Sequence, residues 1–469
     1  MPGFQVPIEN LEMNAHDYET LDFTASRSAP SILRSVQTTL GIADSTPRYS
    51  KAIVQELYNA TYLALDRLRD IVKKYEINCD WVESGAVEAS IHDKIGEDEG
   101  DLVEEEDDGC YMLTSRQVGQ IIGRNVDDAS DANCLYKWGE YDPSCAGLNP
   151  LALTFGLADA VERWGVKIYE NAKVAKLEKL HISHEQSQFK HGKYILTTKD
   201  GHTIQCDHVV LCTGAETSLS ERLSRSFVPI YTWMAATEPL YYNCPLKKET
   251  ADQVLSKIKP NGKVDAEHAQ RASIKVAPMC GDDHFALNYW RNNNKTDGRL
   301  LFGSLCDTYV LPLSFISLRL RNALSEVYPQ LNNVKFDYIW GGKLSVALNA
   351  MPIIGRDIDY DDYTKYNGAD SITDGGVWYS TGFSGHGIVP TALAGSVIAN
   401  AILGIPDREE VTDAKRKQLW QLFHTYFPPS SWNGYPYSRM GAGAVFVVYN
   451  TFDWLSKKGV PVPRLPSIW

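Results

Sequence analysis

The residues best suited to hold a small molecule sit late in the chain, in the turn Thr381-Gly382-Phe383-Ser384-Gly385-His386-Gly387. An apolar run, Val377-Trp378-Tyr379-Ser380, precedes it and reads as a strand. Ile388 to Leu403 comes next, small, apolar, helically spaced and without a single charge. Strand, glycine turn, helix is an arrangement that brings backbone N–H groups against the phosphates or the polar ring of a nucleotide. Ala392, Ala394, Gly395, Ser396 and Ala399 let that helix lie close to a sheet, and its dipole points a positive end into the turn. A plain strand–helix connection with no ligand is the alternative reading. The nucleophile elbow of a serine hydrolase is not, because GxSxG centred on Ser384 needs glycine at 386, where the chain has His386.

A second glycine closes a buried strand upstream. Asp207-His208-Val209-Val210-Leu211-Cys212-Thr213-Gly214 ends in Thr-Gly, where a missing side chain lets backbone approach a ligand.

Other elements must hold these two turns. Ile53, Val54, Leu57, Tyr58, Leu65, Leu68, Ile71 and Val72 recur at helical spacings, which predicts a long amphipathic helix from Lys51. A strand is expected around Gly85 to Ile91, a helix over Leu151 to Trp164 ended by Gly165, and a strand beginning at Val166-Lys167-Ile168-Tyr169. A ribbon comes after these: Ala172 to Leu180, Tyr194 to Lys199, and Thr203 to Cys206 beyond the Asp200-Gly201 turn. Pro229 to Gly341 is strand-heavy with one helix, Ser317 to Tyr328, and reads as a second domain. A final helix is expected near Val445 to Lys457.

Composition narrows the class. A chain of 469 residues exceeds what one core usually supports, so two domains are expected. A formal net charge of -13 argues against nucleic acid as a partner. Nine of the twelve positions from Glu97 to Asp108 are acidic, which reads as a solvated loop. The nine cysteines show no CxxC spacing, no zinc pattern and an odd count, so no metal site is expected. With no signal-like N-terminus and no apolar run of membrane-spanning length, the sequence predicts a cytoplasmic protein without a membrane span.

The run Gly375 to Gly404 resembles the C-terminal flavin-binding segment of FAD-dependent oxidoreductases of the D-amino-acid oxidase type, a family that includes glycine and sarcosine oxidases. Other stretches agree in order: Tyr141–Val174 with the family's helix–strand entry and Cys206–Ser218 with its Thr-Gly strand. Val228–Leu240, Leu287–Ser304 and Tyr338–Arg356 resemble its substrate-domain and return strands. The resemblance spans roughly residues 51 to 455. It implies an α/β fold: a Rossmann-like FAD-binding domain of the glutathione-reductase type, with an antiparallel-sheet substrate domain of α+β character. The expected FAD-binding segments are 51–75, 145–215 and 341–404. The expected substrate segments are 76–144 and 216–340, between an irregular arm over 1–50 and a helical tail over 405–469.

It implies FAD with residue-level roles. Val174 lies by the adenine, and Thr213 and Gly214 pass near the pyrophosphate and ribose. Gly382, Ser384, Gly385, His386, Gly387 and Ile388 cover the pyrimidine side of the isoalloxazine. Free N–H groups at the helix start then face the charge that reduction places at N1 and the C2 carbonyl.

The chain departs from the family in one respect. The family opens with a strand, a GxGxxG turn and a helix, whereas this sequence has no GxGxxG; Gly441-Ala442-Gly443-Ala444 lacks the third glycine. Only Thr24 to Ala29 is faintly similar to the family's segment just beyond the missing unit. The expectation is an FAD domain incomplete at its N-terminus, its sheet left with an open edge. Charge-assisted bonds to a pyrophosphate contribute roughly 1.5–3 kcal/mol each, so losing two or three weakens binding by orders of magnitude.

The implied chemistry is oxidation of an amine or amino acid at its CH–NH group: hydride leaves the carbon and water hydrolyses the imine, a reaction governed by positioning. Candidate catalytic residues are Tyr289, Arg291, Trp340 and His386, with core packing as the alternative for Tyr289 and Trp340 and a surface position for Arg291. Relatives that take simple amino acids carry an arginine near the return-strand glycines. Trp340-Gly341-Gly342-Lys343-Leu344-Ser345 has none, which tilts the substrate toward an amine or amine conjugate unless Lys343 substitutes. Two other classes stay open: a truncated or non-catalytic homologue that keeps the fold without FAD, and an NAD-type dehydrogenase, which no fingerprint supports.

Overall fold

The computed structural model describes residues 51–92, 110–124, 135–180, 193–216, 218–240, 279–284, 287–292, 298–347, 351–357, 375–405, 423, 450–452 and 454–455. The arm over 1–50, the acidic run Glu97–Asp108, the 441–444 glycines and most of the expected final helix lie outside them.

Helix α1 (Lys51–Lys74) buries Leu57, Ala60, Ala64, Leu65, Leu68 and Val72, one stripe at spacings of three and four. Short strands β1 (Ala86–Ser90), β2 (Tyr111–Thr114) and β3 (Trp138–Asp142) come next, with helix α2 (Ser115–Ile122) opened by a Thr114–Gln117 capping box. Asn149 caps α3 (Pro150–Arg163) by accepting the Ala152 N–H at 3.0 Å. The ribbon β4 (Val174–Lys179), β5 (Tyr194–Thr198), β6 (Thr203–Cys206) is antiparallel and forms its own three-stranded sheet. Then come β7 (His208–Leu211), the short α4 (Glu221–Ser224), β8 (Phe227–Thr237), β9 (Met279–Asp282), β10 (Tyr289–Asn292) and β11 (Leu300–Asp307). The chain continues through α5 (Leu313–Val327), β12 (Phe336–Ala347), β13 (Ile353–Arg356), β14 (Gly376–Thr381) and α6 (Ile388–Leu403).

Two bodies of packing result. In one, β7 and β14 run parallel with β13 antiparallel on the far side of β14. Trp378 of β14 packs toward α1 and α6, while Val377 and Tyr379 pack toward the ribbon and Phe227. This covers both faces of a parallel pair, as such pairs require. It also accounts for the apolar stripe of α6, where Val389, Leu393, Ala394, Val397, Ile398 and Ala401 are buried.

The other body is an eight-stranded sheet in the order β12-β8-β11-β10-β9-β1-β3-β2, antiparallel except for β1 with β9. Side chains alternate between its faces. Trp233, Ala235, Trp290 and Phe302 turn toward α2 and α5, which contribute Val118, Ile122, Ile316, Leu320, Leu324 and Val327. The register aligns a row across the opposite face: Trp340, Met234, Gly303, Tyr289, Gly281, Glu88 and Glu140. Fully buried Asp282 anchors the start of β10, accepting from Asn288 Nδ2 and Tyr136 Oη, each at 2.8 Å. Burial pushes its carboxyl up, but adjacent His284 and the side-chain and backbone donors of Asn288 outweigh that and hold it below its ordinary range.

One expected element differs. Val166–Tyr169 is not a strand: it carries no ladder, and Val166, Ile168 and Tyr169 are exposed, as is Trp164 just before them. A strand exists only through its neighbours, and the described residues offer this segment none. Among the described residues β7 pairs with β14 on one side only; the N-terminal arm, on which the expectation of an open edge turns, lies outside them.

Gly303 leaves room for the row's aromatic ring. A Cβ built there falls 2.0 Å from the Tyr289 ring and 2.4 Å from Met234 Sδ. Gly303→Ala should therefore destabilise the protein by about 1–3 kcal/mol through overpacking. Urea unfolding checks this; an unchanged midpoint would show that Tyr289 moves aside at no cost.

Candidate functional site

Both glycine turns leave the same edge of one sheet. Because β7 and β14 are parallel neighbours, Thr213–Gly214 and Gly382–Gly387 emerge together from their carboxyl ends, where open α/β sheets bind ligands. Thr381 Oγ1 donates to the Gly214 carbonyl at 2.7 Å and ties one turn to the other. Gly214, Gly382 and Gly385 have φ of 56°, 70° and 89°, the left-handed region that favours glycine.

The larger turn ends on bare backbone donors. Gly387 is the N-cap of α6 with no side-chain bond into the first turn, which holds no acidic residue. The N-terminus thus presents its dipole and first N–H groups to whatever lies ahead. Gly385 is exposed, His386 and Ile388 are half-buried, and the His386 N–H is used within the turn by the Phe383 carbonyl at 2.9 Å. Ser384 is 1% exposed; its hydroxyl bonds Ala347 and Gly382 and its N–H bonds the Ser345 carbonyl, so it shapes the turn and offers a ligand no donor.

Strand β12 brings the second body to this turn. Trp340, Gly342 and Leu344 share one of its faces by alternation. Leu344 Cδ1 lies 3.3 Å from a Cβ built on Gly385. Gly342 faces open space, with no heavy atom within 4 Å of its built Cβ. Farther along the face, Tyr289 and Trp340 pack around Met234, Ala236 and Leu301. Tyr289 Oη lies 2.9 Å from Thr232 Oγ1. Enclosure raises the phenol pKa well above its ordinary value, outweighing the Thr232 bond, so the group stays neutral.

The sequence candidates thus separate. Tyr289 and Trp340 meet in one cluster, and Arg291 lies two residues along β10 on the same face. Arg291 is buried, at 6% exposure, and not a surface residue. His386 belongs to the glycine turn, and Val174 opens β4 in a different sheet, paired with Thr198. Lys343 Nζ contacts the Glu216 carboxylate, which joins β12 to the Thr-Gly turn and occupies the cation placed to replace an arginine. Sequence reasoning did not find Ser345, Met234, Thr232 or Gly303; the period-two alternation of β8, β11 and β12 was the available signal for the last three.

A planar, polar-edged ring fits this arrangement: two glycine turns at positive φ, open helix N–H groups and a clear wall over Gly342. Beside Gly214 a trough of about 470 Å³ runs between β7 and α6, lined by Val210, Cys212, Phe383, Gly395, Ile398 and Ile402 among others. Its lining has no charged residue and does not suit a pyrophosphate.

Comparison with known proteins agrees with this geometry. Residues 23–401 match the family model described as FAD dependent oxidoreductase, DAO. The chain is 27% identical over 377 residues to "Probable oxidoreductase OrdL" of Haemophilus influenzae, covering 78% of this chain and 73% of that protein. It is 26% identical over 376 residues to gamma-glutamylputrescine oxidoreductase of Escherichia coli, covering 80% and 72%. Among solved structures, glycine oxidase from Geobacillus kaustophilus superposes with a TM-score of 0.51 at 14% identity, over 80% of this chain and 85% of that one. Iminodiacetate oxidase from Chelativorans sp. BNC1 gives 0.50 at 12%, over 82% and 96%; at these identities both show a shared fold alone. With the two turns at one sheet edge, the uncapped helix beyond them and a family match over most of its length, this chain belongs to the FAD dependent oxidoreductases of the DAO family, enzymes whose cofactor is FAD.

Proposed function

We propose that the protein oxidises the CH–NH group of a small amine or amino acid, with the substrate held between the Tyr289–Trp340 face and the glycine turn. The observation that carries this reading is the open wall of β12, where Gly342 faces clear space between Trp340 and the Leu344–Gly385 contact. When bound, FAD supplies the acceptor for the hydride that leaves the substrate carbon with its electron pair. The nitrogen gives up its proton to water, and hydrolysis of the resulting imine releases a carbonyl compound and ammonia or an amine. The chain's own residues orient and exclude water. Trp340, Met234 and Tyr289 form an apolar wall, and the neutral phenol of Tyr289 donates or accepts at Oη without carrying charge.

Thr213, Gly214 and the backbone of Gly382 to Ile388 are the residues assigned to the ring and its linker, with Val174 toward the adenine. The engagement of Lys343 by Glu216 supports an amine or amine conjugate over a simple amino acid held by a return-strand cation. Arg291 is assigned to a polar group of the substrate remote from the reacting carbon. The division into FAD-binding segments 51–75, 145–215 and 341–404 and substrate segments 76–144 and 216–340 is part of the same reading. A cytoplasmic setting is part of the same reading.

The second reading is a homologue that keeps the fold without retaining FAD, favoured by the uncharged trough and the absent GxGxxG. A visible spectrum decides: the purified protein should show flavin absorbance, or gain it on incubation with FAD. A colourless protein after that incubation overturns the enzyme reading. In Gly385→Val, a branched side chain at φ of 89° beside Leu344 should abolish flavin retention. Unchanged flavin content in that variant removes the turn from the site.

Tyr289→Phe should lower kcat/KM by about tenfold, near 1.4 kcal/mol of barrier, with little change in thermal midpoint. Because the phenol stays neutral, wild type and variant should share one pH–rate profile up to pH ~10. An alkaline limb lost only in the variant would assign Tyr289 a proton-transfer role instead.

A further inference from the structure

The glycine turn is fastened to the end of β12 from both sides. Ser345 Oγ accepts the N–H of Gly382 at 3.1 Å, and the Ser345 carbonyl accepts the N–H of Ser384 at 3.0 Å. Ser384 Oγ answers by accepting the N–H of Ala347 at 3.3 Å and donating to the Gly382 carbonyl at 3.3 Å. Between these bonds Val346 and Phe383 form an antiparallel bridge. Ser345 is 8% exposed and Ser384 1%, so water replaces none of these contacts.

Ser384 also stands at φ of 51°. A residue with a Cβ enters that region at a cost of about 1–2 kcal/mol, and glycine would avoid it. A glycine there would lose the hydroxyl that grips Ala347 and Gly382. Strain held in place by surrounding bonds is a mark of a position whose geometry matters.

We propose that Ser345, acting with Ser384, is a positioning residue for hydride transfer. It fixes the N–H groups of Gly385, Gly387 and Ile388 relative to the Trp340–Gly342–Leu344 wall, and so tunes how strongly they stabilise the reduced isoalloxazine. This rests on the reading that the turn faces that ring. Ser345 lies on the same strand as Gly342, three residues on, so the wall and the anchor are one rigid piece. Stabilisation by fixed donors depends on their being held at bonding distance before charge develops. Without Ser345 Oγ, the buried N–H of Gly382 loses this acceptor, and the turn shifts to find another. The donors downstream shift with it.

The test is the midpoint potential of the FAD-loaded protein, read against a reference dye, together with the visible spectrum and thermal midpoint. Ser345→Ala should retain flavin and shift the oxidised-to-reduced equilibrium about tenfold toward the oxidised form, near 30 mV for a two-electron couple. Ser345→Thr, which keeps the hydroxyl, should restore it. Ser384→Gly relieves the strained φ, so it folds, and it should shift the equilibrium in the same direction. If Gly385→Val disturbs the flavin while Ser345→Ala and Ser384→Gly leave potential and spectrum at wild-type values, the positioning role is overturned and the site reading stands. If Gly385→Val also leaves the flavin unchanged, or wild type takes up no FAD, the site reading fails and this proposal fails with it.

Discussion

Strand β12 is the constraint on which the arrangement depends. It pairs with β8 from Phe336 to Ala347, which makes it the edge of the eight-stranded sheet. Its last residues, still paired with β8, also bond the glycine turn of the neighbouring sheet, while Lys343 reaches the Thr-Gly turn through Glu216. One strand therefore carries Trp340 and open Gly342 at its middle and holds both glycine turns at its end. Remove these cross-connections and the two bodies would each remain packed by their own cores, but no common site would exist between them.

The glycines are a result of this crowding. Gly382 meets the Ile353 side chain, Gly341 meets the Trp233 ring and Gly303 meets Tyr289 and Met234, each at distances no Cβ tolerates. Gly342 differs, because nothing crowds it. Close approach explains the first three; the fourth leaves clear the wall that the proposed function assigns to a flat ligand.

Sequence reading reached the elements that rest on strong local signals. Period-3.6 apolar spacing marked α1, the uncharged small-residue run marked α6, and Thr-Gly after an apolar run marked the end of β7. Those signals also named the two turns. Everything decided between distant segments stayed hidden. The bond from Thr381 to Gly214 spans 167 positions and that from Ala347 to Ser384 spans 37; no local pattern announces either. Serines at 345 and 384 look like ordinary turn and strand polar residues until the chain is folded. Val166–Tyr169 failed for the opposite reason: its local pattern is that of a strand, yet pairing needs a partner that the described residues lack.

The clasp between β12 and the turn has a dynamic consequence. Two bodies joined through a buried bridge and three bonds from β12 to the turn cannot hinge apart at that seam without breaking all of them together. Any relative motion of the two bodies must therefore take place elsewhere than at this seam, or break all of its bonds at once. The distance between the β12 wall and the glycine turn is thereby held constant, which is what the proposed hydride transfer requires.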